Sequence, residues 1–278
     1  MPRYFVATDL SARGDRAVHR AILLAASNEA ELTVLTVVDD ALPAALAAQV
    51  AEAAKLELTR IVGTFCEAAK ADIHITVATG DPARTVAELA MNGKADLLIL
   101  GRHRERPFAD LFRQTTAERI ITLVSCPVLL VTAAPAAPYG HVLGAIDFSP
   151  ASAAAARFAL SLVPDARHEG LYVYHVPFGG LVPGDQLPAF LHEAETAEAD
   201  WRARSGIGPD TLPIHLVEGG VQSELTQAIA KDKPDLVAVG AHGRGAMSRA
   251  ILGSVTTMLM REPPCDLLIV RPGPAGIG

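Results

Sequence analysis

The feature that most constrains this chain is a duplication. Gly80, Asp96, Gly101, His103, Thr115 and Cys126 recur as Gly219, Asp235, Gly240, His242, Ser254 and Cys265, each 139 positions further on. A constant offset over so many landmarks marks two copies of one unit. Near the start of each copy the offset is 138, Asp9 against Asp147, which places one extra residue in the second half before Leu171, the partner of Leu32. Between the copies runs an alanine and proline linker with Pro135 and Pro138, so domains are expected over residues 1–134 and 139–278.

Each half alternates short apolar runs with amphipathic stretches. Tyr4 to Thr8 and Val142 to Ile146 read as strands, each closed by an acid, Asp9 or Asp147, and then by a serine, Ser11 or Ser149, placed to cap a helix. Those helices carry apolar residues at Val18, Ala21, Ile22 and Ala25, and at Ala155, Phe158, Ala159 and Leu162, the spacing of one buried stripe. Second strands are expected over Leu32 to Val38 and Leu171 to Val176, followed by helices around Ala45 to Ala69 and Pro188 to Arg204. Third strands are expected near Ile73 to Ala78 and Ile214 to Glu218, then helices over Pro82 to Met91 and Gln222 to Lys231. Fourth strands are Leu97 to Leu100 and Leu236 to Val239; fifth strands are Val128 to Val131 and Leu267 to Val270. Continuous apolar strands alternating with helices imply parallel sheets covered on both faces, hence an α/β chain of two five-stranded layer sandwiches. An apolar fifth strand is an edge that needs cover, so the two fifth strands are expected to meet across a pseudo-two-fold axis within the chain.

One stretch carries chemistry. The fourth strand of the second half ends at Gly240, a loop with His242, Gly243 and Gly245 follows, and Gly253-Ser254 opens a run that can turn helical. Glycines let a backbone approach a ligand closely, and the free N–H groups of a helix start carry partial positive charge for an anion. Ser254 stands where an N-capping hydroxyl would sit. No Gly-Lys-Ser/Thr occurs, so this is not a P-loop, and a Rossmann fingerprint belongs after a first strand.

The spacing Gly240-x2-Gly243-x9-Gly253-Ser254 resembles the nucleotide-binding pattern of the universal stress protein family, in the Gly-x-His-Gly form of its ATP-binding members. The resemblance extends over both halves and implies a tandem member with an adenine nucleotide alpha hydrolase-like fold. It implies ATP in the second half: Asp147 on the nucleoside, the backbone of Val176 beside the adenine, and Gly240, Gly243, Gly253, Ser254, Val255 and Thr256 around the phosphates, through N–H groups and two hydroxyls. Asp147 alone also reads as a turn acid. His242 reads as a phosphate contact or as a structural residue, since His103 keeps the same side chain where the motif has decayed. Mg2+ would be held through the phosphates. In the first half Gly101 survives, but Arg104 and Gln114 replace the next two glycines, and Thr115 follows. Arg102, Arg104, Arg106 and Arg113 around Glu105 and Asp110 read as a salt-bridged loop in preference to a second anion site. One nucleotide per chain is therefore expected.

Composition excludes several partners. With 24 Lys and Arg against 31 Asp and Glu the formal charge is −7, so no general attraction for nucleic acid or an anionic membrane is expected. Cys66, Cys126 and Cys265 show no metal-ligand spacing and fit reduced thiols, the last two as small buried fillers. Residues 120–140 are uncharged but broken by Pro127, Pro135 and Pro138, which argues against a membrane span. The opening residues turn acidic at Asp9, too early for a signal peptide, so a cytoplasmic location is expected. Two functional classes stay open. One is an ATP-binding stress-response or regulatory module that acts on an unnamed signalling protein, as an intramolecular pseudo-dimer compatible with further homodimerisation. The other is an enzyme, a weak ATPase or phosphotransferase, although no general base or acid pair for two metals stands out. A non-nucleotide interaction scaffold is the third reading.

Overall fold

The computed structural model describes residues 1–102, 115–176, 187–241 and 252–272. The chain forms two compact units, Met1–Pro138 and Tyr139–Gly278. His242, Gly243, Arg104 and Gln114, together with the acids and arginines of the first unit's loop beyond Arg102, lie outside the described residues.

The first unit runs β1 (Arg3–Ala7), α1 (Ala12–Ser27), β2 (Glu31–Val38), α2 (Ala44–Gly63), a 3-10 turn (Cys66–Lys70), β3 (Asp72–Thr79), α3 (Pro82–Asn92), β4 (Leu97–Gly101), α4 (Thr116–Leu123) and β5 (Val128–Val131). Its strands pair in parallel in the order β3-β2-β1-β4-β5. β4 and β5 are buried on both faces, as their unbroken Leu, Ile and Val runs require. α1 buries Val18, Ala21, Ile22 and Ala25 as its stripe predicts, and Arg20 beside them reaches the carbonyl of Ala137 at 2.8 Å. The expected single helix over Ala45 to Ala69 is instead broken. Thr64 folds its amide and hydroxyl back onto the carbonyl of Ile61, and the 3-10 turn follows.

The second unit runs β6 (His141–Ile146), α5 (Pro150–Leu162), β7 (Arg167–Tyr174), α6 (Leu187–Ser205), β8 (Ile214–Glu218), α7 (Val221–Asp232), β9 (Leu236–Gly240), α8 (Ser254–Arg261) and β10 (Asp266–Val270). Its strand order, β8-β7-β6-β9-β10, repeats that of the first unit. A cluster of Ile146, Phe148, Ala153, Ala156, Trp201, Ile207 and Leu212 fills the layer between the sheet and α5 and α6.

One expectation is corrected here. The second strand of this unit is Arg167–Tyr174, not Leu171 to Val176. Register gives the reason: Tyr4 faces Leu32 in the first unit, and its counterpart Val142 faces His168 in the second. The structural offset is therefore 136 at this strand, because α5 has 13 residues where α1 has 16 and the turn that follows has four residues where the first unit has three. It returns to 139 at the third strand, where Val34 faces Ile75 and Gly170 faces Ile214.

Candidate functional site

In each unit the strand order reverses between the first and fourth strands, and a crevice opens at their carboxyl ends, the place where α/β sheets take ligands. In the second unit this is a cavity of about 270 Å³. Asp147, Gly240, Gly253, Ser254, Val255 and Thr256 all line it, so six of the nine expected site residues converge. Val176 does not line it. That residue is buried two positions past β7, and the strand's contribution to the wall comes from Leu171, Tyr172 and Val173. By register Val173 holds the place expected of Val176, one step beyond the Ile146 and Tyr172 pair.

The acid is positioned by its own turn. Asp147 Oδ1 accepts the Ser149 amide at 3.0 Å, Ser149 Oγ accepts the Ser152 amide at 3.1 Å, and Phe148 between them is left-handed at φ 58°. The first unit repeats the device with Asp9, Leu10 at φ 59° and Ser11. A left-handed non-glycine residue costs about 1–2 kcal/mol. In the second unit burial of the Phe148 ring offsets this: it stacks on Tyr172 at a centroid distance of 4.1 Å and tilts against Trp201 at 5.9 Å. Asp147 is thereby fixed at the strand end, and its other oxygen has no hydrogen bond within the described residues.

Gly240 serves packing. A Cβ there would stand 2.7 Å from the carbonyl carbon of Ala151 and 2.8 Å from the Ser152 amide nitrogen, so only glycine lets β9 end against the first turn of α5. Its carbonyl accepts the Thr256 hydroxyl at 3.0 Å, which pins the first turn of α8 to β9. The Thr256 hydroxyl proton is thus committed to the backbone, and only Ser254 of the two expected hydroxyls stands exposed at the cavity. Ser254 is the first residue of α8 and not its cap. The cap is Gly253, extended at φ −62° and ψ 156°, with no side chain to bond the helix amides. The N-terminus of α8 therefore opens into the cavity with its partial positive charge unanswered by a capping side chain of the described residues.

The remaining wall is apolar. Val221 and Leu225 from α7 line it together with Tyr172 and Val173 from β7, a wall suited to a flat ring. These four residues escape a motif search, since nothing in their types marks them. Only the register of β7 and the position of α7 after the third strand bring them in.

The first unit carries a larger cavity of about 560 Å³ at the same topological place, lined among others by Asp9, Arg13, Thr36, Val37 and Arg102. Its helix start is built differently. The Thr115 hydroxyl accepts the Glu118 amide at 3.2 Å, and the Glu118 carboxylate accepts the Thr115 amide at 2.8 Å, a reciprocal capping box that sets a negative charge on the N-terminus of α4.

Among the described residues no cluster of His, Cys, Asp and Glu is arranged to hold a metal ion, and no helix is long and apolar enough to cross a membrane.

These features define a class: tandem parallel α/β layers of the adenine nucleotide alpha hydrolase-like type, with a crevice at the strand ends of each. The model of the universal stress protein family matches residues 2–132 and again 138–271, and the chain belongs to that family. A universal stress protein of Methanocaldococcus jannaschii is 30% identical over 141 residues, covering 48% of this chain and 82% of its own. One from Mycobacterium bovis is 26% identical over 224 residues, covering 74% and 72%. Among solved structures, a universal stress protein of Archaeoglobus fulgidus matches with a TM-score of 0.69 at 18% identity, covering 98% of both chains, and so shares the tandem fold.

Proposed function

We propose that the second unit binds ATP and that the chain acts as a cytoplasmic regulatory protein whose nucleotide occupancy alters its fit to a signalling partner. The observation that carries this reading is the start of α8, which no side chain of the described residues caps, at a cavity that Asp147 also lines with one oxygen unbonded among those residues. The donor set fits the group. Amides of Ser254, Val255 and Thr256 with the Ser254 hydroxyl would hold phosphate oxygens, Asp147 would accept from the nucleoside, and the wall of Tyr172, Val173, Val221 and Leu225 would take the base. Any Mg2+ would be carried on the phosphates, where it screens their charge.

Turnover is slow on this reading. Asp147 is the single carboxylate among the described lining residues, which include no histidine, lysine or cysteine, and one of its oxygens already serves the Ser149 amide. A group spent on holding a turn is poorly placed to activate water for attack on a γ-phosphate. Mass spectrometry of the protein purified under native conditions, followed by calorimetric titration with ATP, tests the proposal. Carried ATP or ADP with tight rebinding supports it. Absence of any adenine nucleotide binding sinks it.

A further inference from the structure

The two crevices differ where a ligand's charge would lie, and the difference points to a second specificity. In the second unit the helix start is capped by a glycine without a side chain. In the first unit the equivalent start carries the Glu118 carboxylate, bonded to the Thr115 amide at 2.8 Å, while the Glu118 amide is used by the Thr115 hydroxyl. The chain thus supplies its own anion to the Thr115 amide, the counterpart in sequence of the Ser254 amide that the proposed nucleotide site offers to phosphate. A second anion there meets like charge and finds two of the helix-start donors already taken.

The rest of the first crevice is kept. Asp9 sits in the same turn as Asp147, with one oxygen held by the Ser11 amide and hydroxyl and the other without a hydrogen bond to the described residues. Pro82 and Val86 of α3 stand where α7 has Val221 and Leu225, and Val37 stands where β7 has Val173. Thr36 replaces the bulk of Tyr172, and Arg13 and Arg102 line the crevice at the places of Ala151 and Ala241. The Thr36 hydroxyl is spent on the Thr8 carbonyl at 2.8 Å, so the open oxygen of Asp9 is the acceptor offered to a neutral donor, and a guanidinium plane stacks on a heteroaromatic face.

We propose that the first unit binds an unphosphorylated nucleoside, with Glu118 as the residue that rejects the phosphorylated form. The inference rests on the reading of the second unit as a nucleotide site, since it carries the role of Asp147 over to Asp9. Tandem copies of one fold would then give a single chain a site for ATP and a site for its dephosphorylated product class.

Calorimetric titration of the full chain with adenosine and, separately, with ATP is the test. Two adenosine sites per chain against one ATP site are expected. Asp9→Asn, which keeps the turn but weakens the acceptor, should lower adenosine affinity at one of the two sites several-fold and leave ATP binding intact. Glu118→Thr, which installs the residue found at Thr257 in the second unit, should let ATP compete for the first site at least tenfold better than in the parent chain. ATP binding at both units of the parent chain, adenosine binding only once, or a Glu118→Thr chain that still excludes ATP as strongly overturns the proposal. Failure of ATP to bind either unit instead removes the reading of the second unit, and the two failures are told apart by the ATP titration alone.

Discussion

Thr256 and Gly240 are joined by a 3.0 Å hydrogen bond from the threonine hydroxyl to the glycine carbonyl, and this bond fixes the start of α8 to the end of β9. Thr256 is 1% exposed, so removing its hydroxyl leaves a carbonyl without that donor in a dry place. Thr256→Val is expected to cost about 1–3 kcal/mol, lowering the melting temperature of the second unit by several degrees. Thr256→Ser should stay near the parent. Thermal unfolding of the two variants checks this, and a Thr256→Val chain as stable as the parent would show that α8 is held by other contacts.

The two strand-end glycines give a graded comparison. A Cβ at Gly240 meets the Ala151 carbonyl carbon at 2.7 Å, whereas one at Gly101 meets the Arg13 carbonyl oxygen at 3.0 Å. Backbone cannot yield as a side chain does, so Gly240→Ala should destabilise its unit by about 1–3 kcal/mol, and Gly101→Ala should cost less. Urea denaturation of the two variants reads the order directly, and the reverse order would mean that the close approach at α5 is more compliant than the one at α1.

How much of this could be read from the sequence follows the same lines. The duplication, the alternation of strands and helices and the meeting of the end of β9 with the start of α8 at one cavity are legible because each rests on residue types that one physical demand selects. The place of β7 is not. Three residues lost from α5 are restored before β8, and an offset measured from landmarks on either side steps over such a compensated change. For that reason the landmark offset leads to Val176, while the residue of this strand that register sets beyond Tyr172 and that lines the cavity is Val173. The capping box of Thr115 and Glu118 was legible in principle, since a threonine three residues before a glutamate is its signature. Its consequence, a carboxylate on the start of α4 where α8 has a bare glycine cap, is visible only when the two helix starts are set side by side. The apolar wall of Tyr172, Val173, Val221 and Leu225 is a product of tertiary folding and has no local sign.

Acid sensitivity should centre on Glu169. This residue, on β7, bonds the Arg167 guanidinium, takes a contact from His141 Nε2 on β6 at 3.2 Å and lies 3.8 Å from His215 Nε2 on β8. Burial works to raise its pKa, but the Arg167 hydrogen bond and charge, and then those of His141, outweigh it and hold the carboxyl below its usual value of 4.5. A carboxyl with a depressed folded pKa contributes stability that is present above the unfolded value and is lost as pH falls through the folded one. Stability of the second unit should therefore decline below about pH 4.5, the unshifted value of Glu169, and Glu169→Gln should flatten that decline while lowering stability at pH 7. Equal pH slopes for parent and variant would assign the acid loss elsewhere.

The cysteines should react in a fixed order. Cys66 is exposed in the 3-10 turn, while burial, and after it the charge of Asp266, pushes the Cys265 thiol up to about 12. Since the thiolate is the nucleophile, Cys265 is inert at neutral pH. A thiol reagent applied to the native protein, with peptide mapping, should label Cys66 first and Cys265 only after denaturant is added. Early labelling of Cys265 would mean that its end of β10 opens in the native state.

ATP should bind once per chain, through the start of α8. The amides there face the crevice because Gly253 brings no side chain across them, so a branched side chain at that position both covers the donors and crowds the phosphates. Gly253→Val is expected to weaken ATP binding by about 100-fold or more, equivalent to about 2.7 kcal/mol. Its extended φ of −62° suits valine, so the fold should persist. Ser254→Ala removes one hydroxyl donor and leaves the amides, so a loss of about three- to tenfold is expected. Asp147→Asn keeps the acceptor that holds the Ser149 amide and lowers only the acceptor strength toward the nucleoside, so its effect should be of similar size for ATP and adenosine. Calorimetry on the three variants separates these contributions. A Gly253→Val chain that keeps full ATP affinity would move the phosphate seat away from α8, and a Ser254→Ala chain as weak as Gly253→Val would move the weight of binding from the helix amides to the hydroxyl.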